Sequence, residues 1–333
     1  MRVPFFCILA AGCAVMCSCH KSNDQDNVVS ERYVHKYGYA VTKEEWEARN
    51  YPGQVITTLR DGVTVTATYE NGELHGPVTY TYPHSQTVEK YYLYNQGNKV
   101  KEIIYDINGM PVKELVTMSP TRYAITLWYA DGTPLSIEEY ANAELLEGQY
   151  FTMNNEIESR VEKGVGIRIR RNEHGLLLAR EQIEAGSVAK QETFYSNGTP
   201  ESISTFVKNQ LHGEKRTFNE KGEPLTSEEW INGKLHGKVT HFKNGIPAVE
   251  ISYLFGLKEG SETHFSDGET VVLEVQWENG KKHGPTTYFL EGGPKMEWYY
   301  NGELVSKNAY DDLYRRDQMI SNISPELKVL LPH

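Results

Sequence analysis

Histidine is the residue type in this chain best suited to chemistry, and its placement is periodic. His75, His212, His236 and His283 each stand directly before a glycine, and His241 and His264 share a second recurring position. A metal centre would need neighbouring copies to converge on one ion. Two strands per copy would hold equivalent residues about 9–10 Å apart, whereas zinc takes nitrogen ligands at about 2.1 Å. The histidines are therefore expected to be structural turn residues, with no metal bound. Carboxylates come in adjacent pairs, Glu44-Glu45, Glu138-Glu139 and Glu228-Glu229. Within a strand such neighbours point to opposite faces, so a pair cannot work on one bond, and a solvated face is expected for them. There is no Gly-x-Ser-x-Gly, P-loop or dinucleotide fingerprint, and Gly164-Val165-Gly166 lacks the third glycine. The expectation is a non-enzymatic protein with no catalytic residues and no cofactor.

The elements that carry these residues are most legible in the stretch from Trp230 to Pro247. Asn232-Gly233 and Asn244-Gly245 bracket a short run of mixed polarity. Asn-Gly accepts positive φ at both central positions of a type I′ turn, whose twist suits a β-hairpin. Val239, Thr240 and Phe242 between the turns suit a half-exposed strand. The unit then recurs. His-Gly at 212–213 returns at 236–237, as Glu259-Gly260, and at 283–284, with glycine spacings of 24, 23 and 24. His75-Gly76 and Glu147-Gly148 fall on the same ruler, 72 residues apart. A second turn series alternates with it: Asp61-Gly62, Asn108-Gly109, Asp131-Gly132, Asn197-Gly198, Lys221-Gly222, Asn244-Gly245 and Asp267-Gly268. Pro111, Pro134, Pro200, Pro224 and Pro247 follow five of these turns, where a strand can open without a ladder donor. Aromatic columns keep phase: Phe218, Phe242, Phe265 and Phe289, and Tyr69, Trp230, Tyr253, Trp277 and Tyr299. The ruler predicts an all-β protein, an elongated, twisted antiparallel meander of hairpin repeats in roughly eleven units of about 23 residues.

Tyr69-Glu-Asn-Gly-Glu-Leu-His-Gly, Trp230-Ile-Asn-Gly-Lys-Leu-His-Gly and Trp277-Glu-Asn-Gly-Lys-Lys-His-Gly resemble the variant MORN repeat of bacterial proteins. The resemblance covers roughly residues 38–304 and is clearest from Gln191 onward. Many members of that family carry the label of a toxin–antitoxin system antitoxin, so the resemblance implies neutralisation of a toxin partner as one reading. The commoner MORN consensus has another glycine two residues after His-Gly. Here Val78, Lys215, Val239 and Thr286 stand there, and the phospholipid-binding role of some eukaryotic MORN proteins is not carried over.

The start of the chain has a different character. Arg2 leads an apolar segment, Val3–Met16, too short to span a membrane, which takes about 20 apolar residues. All four cysteines, Cys7, Cys13, Cys17 and Cys19, lie here. The segment resembles a lipoprotein signal that ends at a cysteine to be acylated. Ser18 before Cys19 suits cleavage; Cys13, after Ala10-Ala11-Gly12, matches by composition but leaves a very short apolar region; Cys17 follows the bulky Met16. Cys19 is the expected lipid attachment site. The expected organisation is a signal over 1–18, a flexible tether over 19–32, the repeat array over 33–305 and a C-terminal cap or tail over 306–333. Thr42-Lys-Glu-Glu45 is a capping box opening a short helix over Glu44–Arg49, placed near the first edge of the sheet. A second short helix is expected over Asp311–Met319, and Ser324-Pro325-Glu326 opens another.

The net charge of −11, or −12 without Arg2 of the leader, leaves no electrostatic footprint for nucleic acid and no basic patch for anionic lipid. An exported chain on a bacterial cell membrane or outer membrane is expected, held by its lipid, with an open repetitive surface for a protein partner or for envelope organisation. A glycan or cell-wall polymer is the alternative partner. The two are separated by whether the Trp230/Trp277 column is buried or free.

Overall fold

The computed structural model describes residues 27–321. These form 25 strands and two helices, and every strand pairing resolved is antiparallel. The protein is thus an all-β meander. It divides into two compact units, Met1–Leu176 with Ile183–Ser187, and Leu177–Gln182 with Val188–His333.

In the first unit the strand Val28–His35 pairs with Gly53–Leu59 on one side and with the two-residue strand Ala40–Val41 on the other. The expected tether therefore gives way to paired strand at Val28 rather than at Tyr33. The polar run before Tyr33 hides this, because only Val28 and Val29 mark the strand. From Gly53 each strand pairs with the next, through to Val165–Arg171. Helix α1 (Lys43–Arg49) carries the predicted capping box, Thr42 Oγ1 accepting from the Glu45 amide at 3.2 Å. It lies near the first edge but covers a face. Its buried Trp46 rests against Tyr33 and Tyr69 at 5.6 and 6.0 Å between ring centres.

The core is narrow, with few fully buried residues on any one strand. In the second unit a single cross-strand row joins Ser204, Lys215, Glu228, Val239, Ile251, Glu262, Val275, Thr286 and Glu297. Ser204, Val239, Ile251, Glu262, Val275 and Thr286 of this row are buried. Apolar and charged members mix because a thin sheet has no deep interior; each buried carboxylate must find a cation or donor beside it.

The two turn series are two kinds of turn. Asn71, Asn232, Asn279 and Asn301 have φ between 49° and 52°, each followed by a positive-φ glycine, which is the type I′ pair expected. Asn244-Gly245 is of this kind too. The alternating series instead uses an Asx side chain: Asp106 Oδ1 accepts from the Asn108 and Met110 amides at 2.9 and 2.8 Å, and Asn219 does the same for Lys221 and Glu223. The prolines open their strands opposite an aromatic: Tyr105 with Pro111, Trp128 with Pro134, Phe218 with Pro224 and Phe242 with Pro247.

Both rows of hairpin tips are stitched together across two strands. On one row the turn glycine amide donates to the hairpin before it: Gly233 to Leu211 O (2.8 Å), Gly256 to Leu235 O (2.7 Å), Gly280 to Lys258 O (2.9 Å). On the other a tyrosine at the turn reaches forward: Tyr82 Oη to Tyr105 O (2.8 Å), Tyr129 Oη to Phe151 O (2.6 Å), Tyr195 Oη to Phe218 O (2.8 Å). These bonds tie together hairpin tips that lie two strands apart.

The stretch with the weakest sequence motifs is packed hardest. Tyr129, Tyr150, Val161 and Ile183, all of the first unit, are fully buried. Three turns close on one another there: Leu145 N donates to Gly186 O, Gly186 N to Gly164 O, and Gly164 N to Leu146 O, at 2.8–2.9 Å. At the other end helix α2 spans Lys307–Ser321, longer than expected and beginning four residues earlier. The helix expected from Ser324 lies outside the described residues.

Candidate functional site

The histidine–glycine motif is a bulge inside a strand, and this corrects the expectation of a turn. His75, His212, His236 and His283 lie within the strands Glu73–Thr81, Gln210–Phe218, Lys234–Lys243 and Lys281–Leu290. Leu211 pairs with Phe206 and Lys215 with Ser204, so three residues, His212, Gly213 and Glu214, face Thr205 alone. Thr205 Oγ1 donates into the bulge, to His212 O at 2.6 Å. The glycine supplies the backbone this needs: Gly237, for example, has φ +96°. A turn and a bulge ask for the same glycine chemistry, so spacing alone does not separate them.

Each bulge glycine stands directly across from an aromatic of the neighbouring strand: Gly213 from Trp230, Gly237 from Tyr253, Gly260 from Trp277 and Gly284 from Tyr299. The missing side chain is thus made good by a ring. At two of the four positions the histidine serves the next hairpin, while the buried Nδ1 of His212 and of His236 has no hydrogen-bond partner. His75 Nδ1 accepts from the Gln96 amide at 3.3 Å and His283 Nδ1 from the Asn301 amide at 3.4 Å; where glutamate replaces histidine, Glu259 accepts from Asn279 at 2.7 Å and Glu147 from Lys163 at 3.1 Å. Histidine and glutamate are interchangeable here because the task is to accept one backbone N–H. Among the described residues no three His, Cys, Asp or Glu side chains gather as a metal site.

The adjacent carboxylates are not all solvated. Glu138 is buried, held by Arg168 Nε at 2.7 Å, Tyr140 Oη at 2.7 Å and Tyr150 Oη at 3.0 Å. Burial, with the Glu138 charge adding to it, pushes the phenols of Tyr140 and Tyr150 far up. Glu139, on the opposite face, pairs with Arg122. Glu228 accepts from Trp230 Nε1 at 2.9 Å and faces Lys215 at 3.7 Å. Glu262 sits between Lys258 Nζ (2.6 Å) and His264 Nε2 (2.7 Å); burial raises its pKa, yet these two partners outweigh that and hold it below the usual carboxylate value. The partners lie up to 30 residues away in sequence, beyond what adjacency can show.

Beside the bulges the surface opens into clefts. One, of about 450 Å³, is lined by His212, Glu214, Ser227, Glu229, Trp230 and His236 with Gly213 and Ile231. Its counterpart in the first unit, about 440 Å³, has Tyr69, Glu70 and His75 in the corresponding places, with His35 and Gly53 facing each other on the two paired strands before. Both combine an aromatic edge, an imidazole and a carboxylate. The Trp230/Trp277 column itself is half-buried, and a lysine ammonium stands over its rings: Lys215 over Trp230 at 5.8 Å, Lys258 over Trp277 at 4.4 Å and Lys282 over Tyr299 at 5.0 Å. Cys19 and Cys13 lie outside the described residues. Among those described, no helix is long and apolar enough to cross a membrane.

No protein-family model matches the chain, and no curated protein matches its sequence. Among solved structures it shows similarity to BamB from Moraxella catarrhalis, at 11% identity over 74% of this chain and 82% of that one, with a TM-score of 0.15. Likeness at that level assigns neither fold nor function.

Proposed function

We propose that this chain is a lipid-anchored, non-enzymatic scaffold of MORN-like repeats, exported to a bacterial envelope membrane, that binds a protein partner through its repeated surface. The observation that carries the choice of partner is the aromatic column. A sugar stacks on a free ring face, and here Trp230, Trp277 and Tyr299 are each half-buried beneath a lysine of the same sheet. The resemblance to MORN repeats is supported by the hairpin period, with its type I′ turns and bulge glycines in phase. Attachment through Cys19 rests on the Arg2-led apolar segment ending in Ser18-Cys19.

Two measurements test this reading. Cys19→Ser should abolish palmitate labelling and release the chain from the membrane fraction; unchanged labelling would move the anchor to Cys13. The lipidated protein, cross-linked in intact envelopes and purified, should carry one dominant protein at fixed stoichiometry that rebinds the purified chain. Recovery of polysaccharide alone would put the glycan alternative in its place.

A further inference from the structure

The second unit contains an internal example of what its clefts accept. Helix α2 lays Tyr310 onto the last bulge: its ring lies 5.5 Å from His283, 5.0 Å from Trp298 and 6.4 Å from Tyr300, and its hydroxyl reaches the space above Gly284. Gln276 borders the same space. Tyr314 stacks on Tyr310 at 5.9 Å; Lys307 stands over the Trp298 ring at 5.7 Å and Asp317 is hydrogen-bonded to Tyr300, so the helix is fastened before and after the inserted ring.

The open cleft is the same place three bulges earlier, at His212. By strand pairing His212 corresponds to His283 and Gly213 to Gly284, and across from them Glu229, Trp230 and Ile231 stand where Trp298, Tyr299 and Tyr300 stand. Thr205 borders Gly213 as Gln276 borders Gly284. A carboxylate and an isoleucine thus replace the two rings that flank Tyr310, and His236 closes the far side of the cleft. The Glu229 carboxylate, which lies over Gly237, is an acceptor for an entering phenol.

We propose that the open cleft between His212 and His236 is a socket for a tyrosine presented on a helical segment of a protein partner, in the manner that α2 presents Tyr310 to His283. This rests on the scaffold reading above and specifies its partner: an amphipathic helix with tyrosines one turn apart, as at 310 and 314, since residues four apart share a helix face. The lack of any corresponding helix over the interior repeats leaves the socket for a partner. The cleft at His75 is the equivalent in the first unit.

A labelled synthetic peptide with the sequence of residues 307–321 is the probe, added to the full chain. Saturable binding is expected, with hydrogen-exchange protection gained at Gly213, Trp230 and Gly237. The same peptide with Tyr310→Ala should bind at least tenfold more weakly, and so should the unaltered peptide to a chain carrying Ser227→Trp, which narrows the cleft. Glu229→Lys, at an exposed position, gives a second blocked chain should the tryptophan disturb folding. Protection confined to His283 and Trp298 would mean exchange with the chain's own helix and would overturn the proposal. So would an affinity indifferent to Tyr310→Ala, or an oligosaccharide that alone protects the cleft. Capture of the envelope partner unchanged by Glu229→Lys would sink the socket and leave the scaffold. Peptide binding as expected without any captured protein would do the reverse.

Discussion

Gly164 and Gly233 have the same φ, +75°, and opposite surroundings, which allows the cost of close turn contact to be measured apart from backbone strain. A Cβ at Gly233 would meet nothing within 4 Å. At Gly164 it would lie 2.7 Å from the backbone nitrogen of Gly186, itself hydrogen-bonded to Gly164 O at 2.9 Å. Placing alanine in the left-handed region costs about 1–2 kcal/mol in either case. At Gly164 the turns must also part, straining the bonds from Gly186 N to Gly164 O and from Gly164 N to Leu146 O, each worth about 1 kcal/mol. Gly164→Ala should therefore cost about 3–4 kcal/mol and Gly233→Ala about 1–2 kcal/mol, summing those contributions. Native-state hydrogen exchange is the assay, because it reports opening free energy amide by amide and does not require the whole chain to unfold as one. The amides of Leu145, Gly164 and Gly186 should lose protection in the first variant, those of Gly233 and its neighbours in the second. Equal costs in the two variants would refute the idea that the three closed turns hold the first unit together.

Three further outcomes follow from individual contacts. Trp277 Nε1 is buried without a hydrogen-bond partner whereas Trp230 Nε1 donates to Glu228. Trp277→Phe should thus leave stability within about 1 kcal/mol of the parent, while Trp230→Phe costs about 1.5–3 kcal/mol, both read by local hydrogen exchange; the opposite order would refute the assignment. Glu262 has a folded pKa below the ordinary glutamate value, held there by Lys258 and His264 against the effect of burial, so its contribution is complete above that ordinary value and is lost as pH falls through the lower folded pKa. Glu262→Gln should flatten the acid side of the stability profile around strands 246–278, and an unchanged acid limb would deny Glu262 the role. Arg168→Met strands the buried Glu138 carboxylate and should cost about 3–5 kcal/mol, partly recovered by adding Glu138→Gln; no recovery would mean that packing, not charge, is what arginine supplies.

Much of the backbone was legible in the sequence because turn chemistry is local. Asn232-Gly233 states its own φ angles, Pro224 announces a strand that opens without a donor, and Thr42 with Glu45 writes out a capping box. Side-chain partners were less legible because they are set by register. Nothing near Glu138 in sequence names Arg168, and the carboxylate looked solvated until the strands were paired. The His-Gly step looked like a turn because its glycine needs the same positive φ as one. The stretch 122–186 carries only weak copies of the repeat motifs, yet Tyr129, Tyr150, Val161 and Ile183 replace motif with packing. The candidate cleft needed both levels: its histidines were in the sequence, but the ring that fills its last copy comes from α2, which the repeat pattern does not contain.

The stitching of hairpin tips also sets how such a chain can change length. Each stitched tip bonds to the tip two strands away, on its own side. Adding or losing one strand would send every later tip to the opposite side, where the wrong turn type would meet a tyrosine or a glycine amide made for the other. Adding or losing two strands keeps every partner in place. Duplication in frame of a segment of about 23 residues is therefore the smallest neutral step in copy number, and the reach of the molecule can be set in increments of one hairpin, with both ends left as they are.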